Sequence, residues 1–138
     1  MAATLKLEIV TPEAKTYSED VEMVTLPGVE GEMGIYPMHV PLMTQLVAGE
    51  VVARKNGEDV FLAVGEGFVQ ITGDRVAILT DMALQATHID EVKAEEARKR
   101  AEQRLQEKLS DEELASVNAS LAHSLAQLKV KRRNRSGM

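Results

Sequence analysis

The sequence predicts a β + α fold, an N-terminal antiparallel β-sandwich followed by a C-terminal antiparallel α-helical hairpin. Three observations carry that expectation. Residues 4–82 have the apolar–polar period of strands. Turn signals at Asn56-Gly57, Gly65, Gly67 and Gly73-Asp74 cut this region into short segments, the pattern of an antiparallel sandwich or barrel. Near Thr87 the period lengthens to that of a helix, and Ser110-Asp111-Glu112-Glu113 opens a second helix as a capping box. The expected division is a sandwich over 1–86, a hairpin over 87–132 and a basic tail over 133–138.

The strand elements are justified in order. Leu5, Leu7 and Ile9 alternate with Lys6 and Glu8. Val21, Met23 and Thr25 alternate with Glu22, Val24 and Leu26, a run apolar on more than one side. Gly31 to Thr44 packs two glycines and two prolines among apolar residues. Pro37 and Pro41 each fix a backbone angle and remove a donor, so the segment reads as a rigid, shaped loop between strands, neither helix nor central strand. Asn56-Gly57 is a tight-hairpin signal, and Gly73-Asp74 is a second turn candidate. Between them Val60, Leu62 and Val64 face one way while Phe61 and Ala63 face the other.

The helical part begins at Thr87, which can act as an N-cap, with Asp90 and Glu91 at the positive end of the helix dipole. Strong helix formers continue to Lys108, with Ala94, Ala97, Ala101 and Leu105 as the inward stripe. The second helix carries Leu114, Val117, Leu121, Leu125 and Leu128 at three- and four-residue steps, with alanines beside them. Alanine gives helix propensity but little buried apolar area, so the hairpin's hold on the sandwich is expected to be modest. Two readings stay open: a hairpin that packs permanently, and one with two resting places.

Composition bounds the function. The 138 residues include no Cys, which excludes a disulfide scaffold and thiol chemistry. The start, MAATLKLEIV, lacks the features of a signal peptide, and no run of roughly 18 apolar residues is long enough to span a membrane. Residues 1–88 hold 5 Lys/Arg against 13 Asp/Glu, a balance that repels nucleic acid. Residues 89–138 hold 11 against 9 and end in Lys129, Lys131, Arg132, Arg133 and Arg135, a tail that is either solvated or able to meet an acidic surface. Gly65-Glu66-Gly67 lacks the third glycine and the following helix of a dinucleotide fingerprint and reads as a sharp bend. No phosphate loop is present, and His39, His88 and His123 lack metal-type spacing. No carboxylate sits in an apolar run suggesting a raised pKa, and no catalytic set or cofactor site is legible. Glu32 and His39 read either as structural loop residues or as polar contacts with a partner. Met33 and Met38 are the better apolar contact candidates, since methionine adapts to surfaces that repack.

The Gly31-Glu32-Met33-Gly34-Ile35-Tyr36-Pro37-Met38-His39-Val40-Pro41 stretch resembles the signature of the epsilon subunit of the bacterial F-type ATP synthase. Val10-Thr11-Pro12, Gly65-Glu66-Gly67-Phe68 and Ile89-Asp90 add to the resemblance, which covers residues 1–132. It implies a ten-stranded sandwich with a helical hairpin and a non-catalytic rotor subunit of the central stalk. Its implied partners are the gamma subunit, the c-subunit ring and, when the hairpin extends, the alpha/beta catalytic head. Membrane association comes only through the complex, at the cytoplasmic face of the bacterial plasma membrane. Glu32 and His39 carry over as ring-contact residues, and the hairpin as an inhibitor of ATP hydrolysis. Some members bind ATP through a motif whose counterpart here is Ile89-Asp90-Glu91-Val92-Lys93-Ala94. Lys93 stands where the motif has Arg and loses the planar fork suited to phosphate. His123 and Gln127 stand where second-helix arginines are expected, so ATP binding should be millimolar at best, roughly −4 kcal/mol. Outside the resemblance, the alternatives are a free-standing sandwich module that oligomerises through its hairpin, and a small hydrolase with a site assembled in space.

Overall fold

In the computed structural model, which describes residues 3–136, ten strands precede two helices. The strands are β1 (Leu5–Val10), β2 (Lys15–Val21), β3 (Met23–Gly28), β4 (Gly31–Ile35), β5 (His39–Leu46), β6 (Gly49–Lys55), β7 (Glu58–Val64), β8 (Gly67–Gly73), β9 (Arg75–Thr80) and β10 (Ala83–Gln85). A 3-10 turn over Ala86–His88 leads to α1 (Glu91–Arg104) and α2 (Asp111–Ser136). The sheet order is β10-β7-β6-β3-β5-β8-β9-β1-β2, with β4 paired to β3. All pairings are antiparallel except that of β1 with β9, which is parallel, Lys6 facing Arg75 and Val10 facing Leu79.

The alternation in the sequence sets the core. Leu5, Leu7 and Ile9 of β1 are at most 1% exposed and join Val24, Leu26, Leu62, Val64, Val69, Ile71, Val76 and Ile78 in the main cluster. Completely burying such a side chain contributes about 1.5–3 kcal/mol, so this cluster dominates the sandwich's stability. Asn56 and Gly57 both have positive φ, 54° and 80°, the requirement of a two-residue type I′ hairpin, and they join β6 to β7. Gly73 at φ 53° begins the β8–β9 turn. The Gly65–Gly67 bend needs its glycines. A Cβ on Gly67 would lie 1.9 Å from the Leu79 carbonyl oxygen, and one on Gly65 1.9 Å from Asp81 Oδ1.

Several expectations are corrected. Most of the Gly31–Thr44 segment is strand: Gly31–Ile35 forms β4 against β3, and β5 starts at His39, leaving only Tyr36, Pro37 and Met38 as the connection. β5 is even an inner strand, between β3 and β8. Pro41 is accommodated where its register with β8 shifts between His39 and Leu42. The Val21–Leu26 run is divided at Glu22 between β2 and β3. Asp90, not Thr87, caps α1. Its carboxylate accepts a hydrogen bond from the Lys93 N–H at 3.1 Å, while Thr87 lies in the 3-10 turn. The helix ends at Arg104, four residues before Lys108. The Ser110 capping box forms as expected, Ser110 Oγ accepting from the Glu113 N–H and Glu113 Oε1 from the Ser110 N–H, both at 3.2 Å. On α2 the leucine stripe is fully buried only at Leu128. Leu114 and Leu125 are 42% and 48% exposed, Val117 and Leu121 are half-buried, and the buried side chains among the described residues of α2 are Ser124, Ala126, Leu128 and Val130. The cause is the helix's length. It packs on β6 and β7 as well as on α1, and its buried side chains begin only at Ser124.

Candidate functional site

The residues singled out by sequence fall into two places. The first is the end of the sandwich holding the β4–β5 connection. Glu32 is exposed on β4, opposite Pro27. Met38 is 83% exposed and takes a positive φ of 66°, a conformation that costs a non-glycine residue about 1 kcal/mol. Its N–H donates to Asp74 Oδ1 at 3.1 Å, so the neighbouring β8–β9 turn holds the strained residue outward. His39 begins β5 facing Gly73, and its Nδ1 lies 2.6 Å from the Val40 carbonyl oxygen. Tyr36 and Val40 are 61% and 71% exposed, giving the same end an apolar rim. Met33 does not join them: it is half-buried against the main core and packs close to Gly28. Glu32, Tyr36 and Met38 line an open groove of about 670 Å³ that also reaches Arg133 of α2.

Sequence reasoning missed an apolar face on β5, β8 and β9. Met43, Phe68 and Leu79 are 67%, 52% and 55% exposed. Phe68 faces Leu79 across one ladder, and Gln70 faces both Met43 and Ala77. The alternation of Val69 and Ile71 inward with Phe68 and Gln70 outward is the period of a strand. What it could not supply is which outward faces the helices leave uncovered.

The second place is the seat of the hairpin. The outward side chains of β7, Phe61 and Ala63, meet Met82, Leu84, Ala86 and Ile89 beneath Ala126 and Val130 of α2. This is a small cluster, separate from the main core, and its members from the helix are short. Polar contacts surround it. Lys131 Nζ donates to the Ala86 carbonyl oxygen at 3.1 Å. Arg132 pairs with Glu91 and Glu95 of α1, each at 3.2 Å. His123 Nε2 lies 3.1 Å from Asp81 Oδ1 in the β9–β10 turn. Arg133 pairs with Glu50 of β6, and its guanidinium carbon sits 5.5 Å from the centre of the Phe61 ring.

Glu50 corrects the expectation that no carboxylate would have a raised pKa. Burial pushes its carboxyl above the ordinary glutamate range, and Arg133 and Lys129 pull it back only in part. The residue precedes Val51 and Val52, a weak signal, and its burial depends on where α2 lies.

The basic residues thus lie along α2, which continues through Ser136; the Arg135 side chain falls outside those described. Lys129 is exposed. In the candidate nucleotide motif, Ile89 and Ala94 are 4% and 3% exposed, Asp90 caps α1, and Lys93 is exposed. Three of these four residues therefore have structural work independent of a ligand. Among the described residues no cluster of His, Cys, Asp or Glu has the arrangement of a metal site, and no helix is long and apolar enough to cross a membrane.

Comparison with known proteins gives the same division of the chain. Residues 4–86 match the family described as ATP synthase, Delta/Epsilon chain, beta-sandwich domain, and residues 88–132 its long alpha-helix domain. The ATP synthase epsilon chain of Dehalococcoides mccartyi is 46% identical over 134 residues, covering 96% of each chain. That of Herpetosiphon aurantiacus is 44% identical over 133 residues, covering 95% of this chain and 98% of its own. The fold is similar to a chain in a structure of the Euglena gracilis mitochondrial ATP synthase OSCP/F1/c-ring, with a TM-score of 0.75 at 22% identity over 92% of this chain and 80% of that one. With a sandwich and a helical pair both matched and epsilon chains similar along nearly their full length, the chain belongs to the ATP synthase delta/epsilon family, as an epsilon-type, non-catalytic accessory subunit of that complex.

Proposed function

We propose that the chain is a rotor subunit of the central stalk, coupling ring rotation to ATP synthesis through three surfaces. The uncovered apolar face around Met43, Phe68 and Leu79 serves the gamma subunit. Its isolation from the hairpin is the observation that carries the reading, because exposed apolar side chains grouped on one sheet face suit a stable protein contact. The end with Glu32, Met38 and His39 meets the polar loops of the c-subunit ring, with Met33 supporting it from behind. The strained, outward Met38 supports this role, since strain of that kind accumulates where a side chain must be presented.

The hairpin is the regulatory element. Extended, it carries Lys129, Lys131, Arg132, Arg133 and Arg135 toward the alpha/beta head and opposes ATP hydrolysis. The small seat supports a docked state only marginally favoured over that alternative. ATP binds weakly at Ile89, Asp90, Lys93 and Ala94, if the hairpin is docked. The subunit works at the cytoplasmic face of the bacterial plasma membrane, held there by the complex.

The test is reconstitution with the gamma subunit and the catalytic head, using the full chain and a chain stopped after Ala86. Truncation should raise ATP hydrolysis while assembly persists. Equal hydrolysis at low and moderate salt would leave the hairpin a structural appendage.

A further inference from the structure

Glu8 and Glu50 are the buried charged residues among those described. Glu8 lies on β1, away from the hairpin, and pairs with Arg75 at 2.6 Å. Glu50 is different, because a movable element covers it. It shares the outward face of β6 with Val52 and Arg54, and it stands across the ladder from Ala63, a fully buried member of the hairpin seat. α2 packs on both strands there. The helix, rather than the sandwich, therefore removes this carboxylate from water.

The pairing that results is unequal. The Glu50 side chain is 6% exposed, whereas that of Arg133 is 55% exposed. Oε1 accepts a hydrogen bond from Arg133, but Oε2 is buried with no partner. The other charges bearing on Glu50 are Lys129, also on α2, and Glu32 on β4. An acid losing its hydration for one hydrogen bond to a well-hydrated base is a poor exchange, since a buried, unsatisfied oxygen retains its full desolvation cost.

We propose that Glu50 spring-loads the hairpin: as a carboxylate it opposes the seating of α2 on β6 and β7, and on taking up a proton it lets the helix settle. This rests on the reading of the hairpin as an element that leaves its seat. Burial lifts the carboxyl above its ordinary range only while α2 is docked. Docking is accordingly strengthened fully below the ordinary glutamate range, and that gain is lost as pH rises through the docked value. Alkaline medium loosens the seat and acid medium tightens it. The lifting force acts beside Phe61 and Arg133, near the end of α2, so it loosens the part of the helix that carries the basic residues.

The chain contains no cysteine, so Ala126→Cys places a single thiol inside the seat. Its labelling by a dipyridyl disulfide is followed in the full chain from about pH 4.5 to about pH 8, normalised to the same thiol in the unfolded chain. Labelling should become several-fold faster toward alkaline pH. Glu50→Gln should keep it slow throughout, and Arg133→Ala should make it faster at neutral pH with a steeper rise. Leu128→Cys, at a second buried position, should give the same order and guards against disturbance by the first thiol. A pH-independent rate in the parent overturns the proposal. So does faster labelling in Glu50→Gln, which would make the Glu50–Arg133 pair a clasp. A slope that survives Glu50→Gln takes the effect away from Glu50 and also overturns it. Labelling in the isolated chain is independent of inhibition in the complex. A pH-sensitive hairpin that does not inhibit removes the regulatory reading alone, and a thiol that never labels removes both.

Discussion

At the scale of single residues, the structure separates side chains that hold the fold from those that decorate it. Glu32 is exposed, and the contact made by the His39 ring is to its own neighbour's backbone. Glu32→Ala with His39→Ala should therefore change unfolding free energy by no more than about 0.5 kcal/mol while weakening ring contact or proton-driven synthesis. Denaturant titration and synthesis by reconstituted vesicles measure the two, and a loss of several kcal/mol would make these residues structural. Gly67 is the opposite case. A methyl group there would meet the Leu79 carbonyl oxygen at 1.9 Å, and a backbone atom in the sheet ladder cannot swing away. Gly67→Ala should cost about 1–3 kcal/mol, read as a lowered denaturant midpoint.

At the scale of elements, the local signals that were legible are those whose physics is local. Asn56-Gly57 dictates its own turn because both residues must take positive φ, and Ser110 with Glu113 closes a capping box within four residues. The β4–β5 region was misread because proline and glycine counts say nothing of a partner strand. Gly31–Ile35 pairs with β3 through backbone groups that any residue supplies, and Pro41 sits where the ladder shifts. Asp90 displaced Thr87 as the cap because the chain spends Ala86–His88 on a 3-10 turn that buries Ala86. Likewise the leucine stripe of α2 marks a face, but which turns are covered depends on how far the sandwich extends beneath them. Glu32 and His39 were singled out from their segment, with a ring-contact role implied only by the resemblance, whereas Glu50 and the Met43–Phe68–Leu79 face required the helices to be placed first. Two outcomes follow for α1. Asp90→Ala removes the carboxylate that accepts the Lys93 N–H, so it should cost about 1 kcal/mol and speed amide exchange in the first turn. Lys93→Arg, at an exposed position, should leave stability unchanged and tighten ATP binding in titration calorimetry. Micromolar affinity in the parent chain would contradict the weak-binding reading.

For the whole molecule, two hydrophobic clusters of unequal size imply two levels of stability. The main core lies within the sandwich, and the smaller one joins it to α2. Local opening should start at the hairpin, with α2 amides exchanging well before those of β1 and β9. The isolated chain should show no ATP hydrolysis above background, in line with an accessory subunit. Turnover that follows the protein through stringent purification would contradict that.

The parallel pairing of β1 with β9 has a consequence for synthesis. β1 is made before the other strands and finds its inner neighbour only when Arg75–Thr80 arrives, after seven intervening strands have been made. Until then Leu5, Leu7 and Ile9 have β2 on one side and an open edge on the other. Closure across so long a loop is slow compared with hairpin formation. Nascent chains stalled before β9 should therefore be sensitive to protease and attractive to chaperones, and release of a few further residues should convert them abruptly to a resistant form.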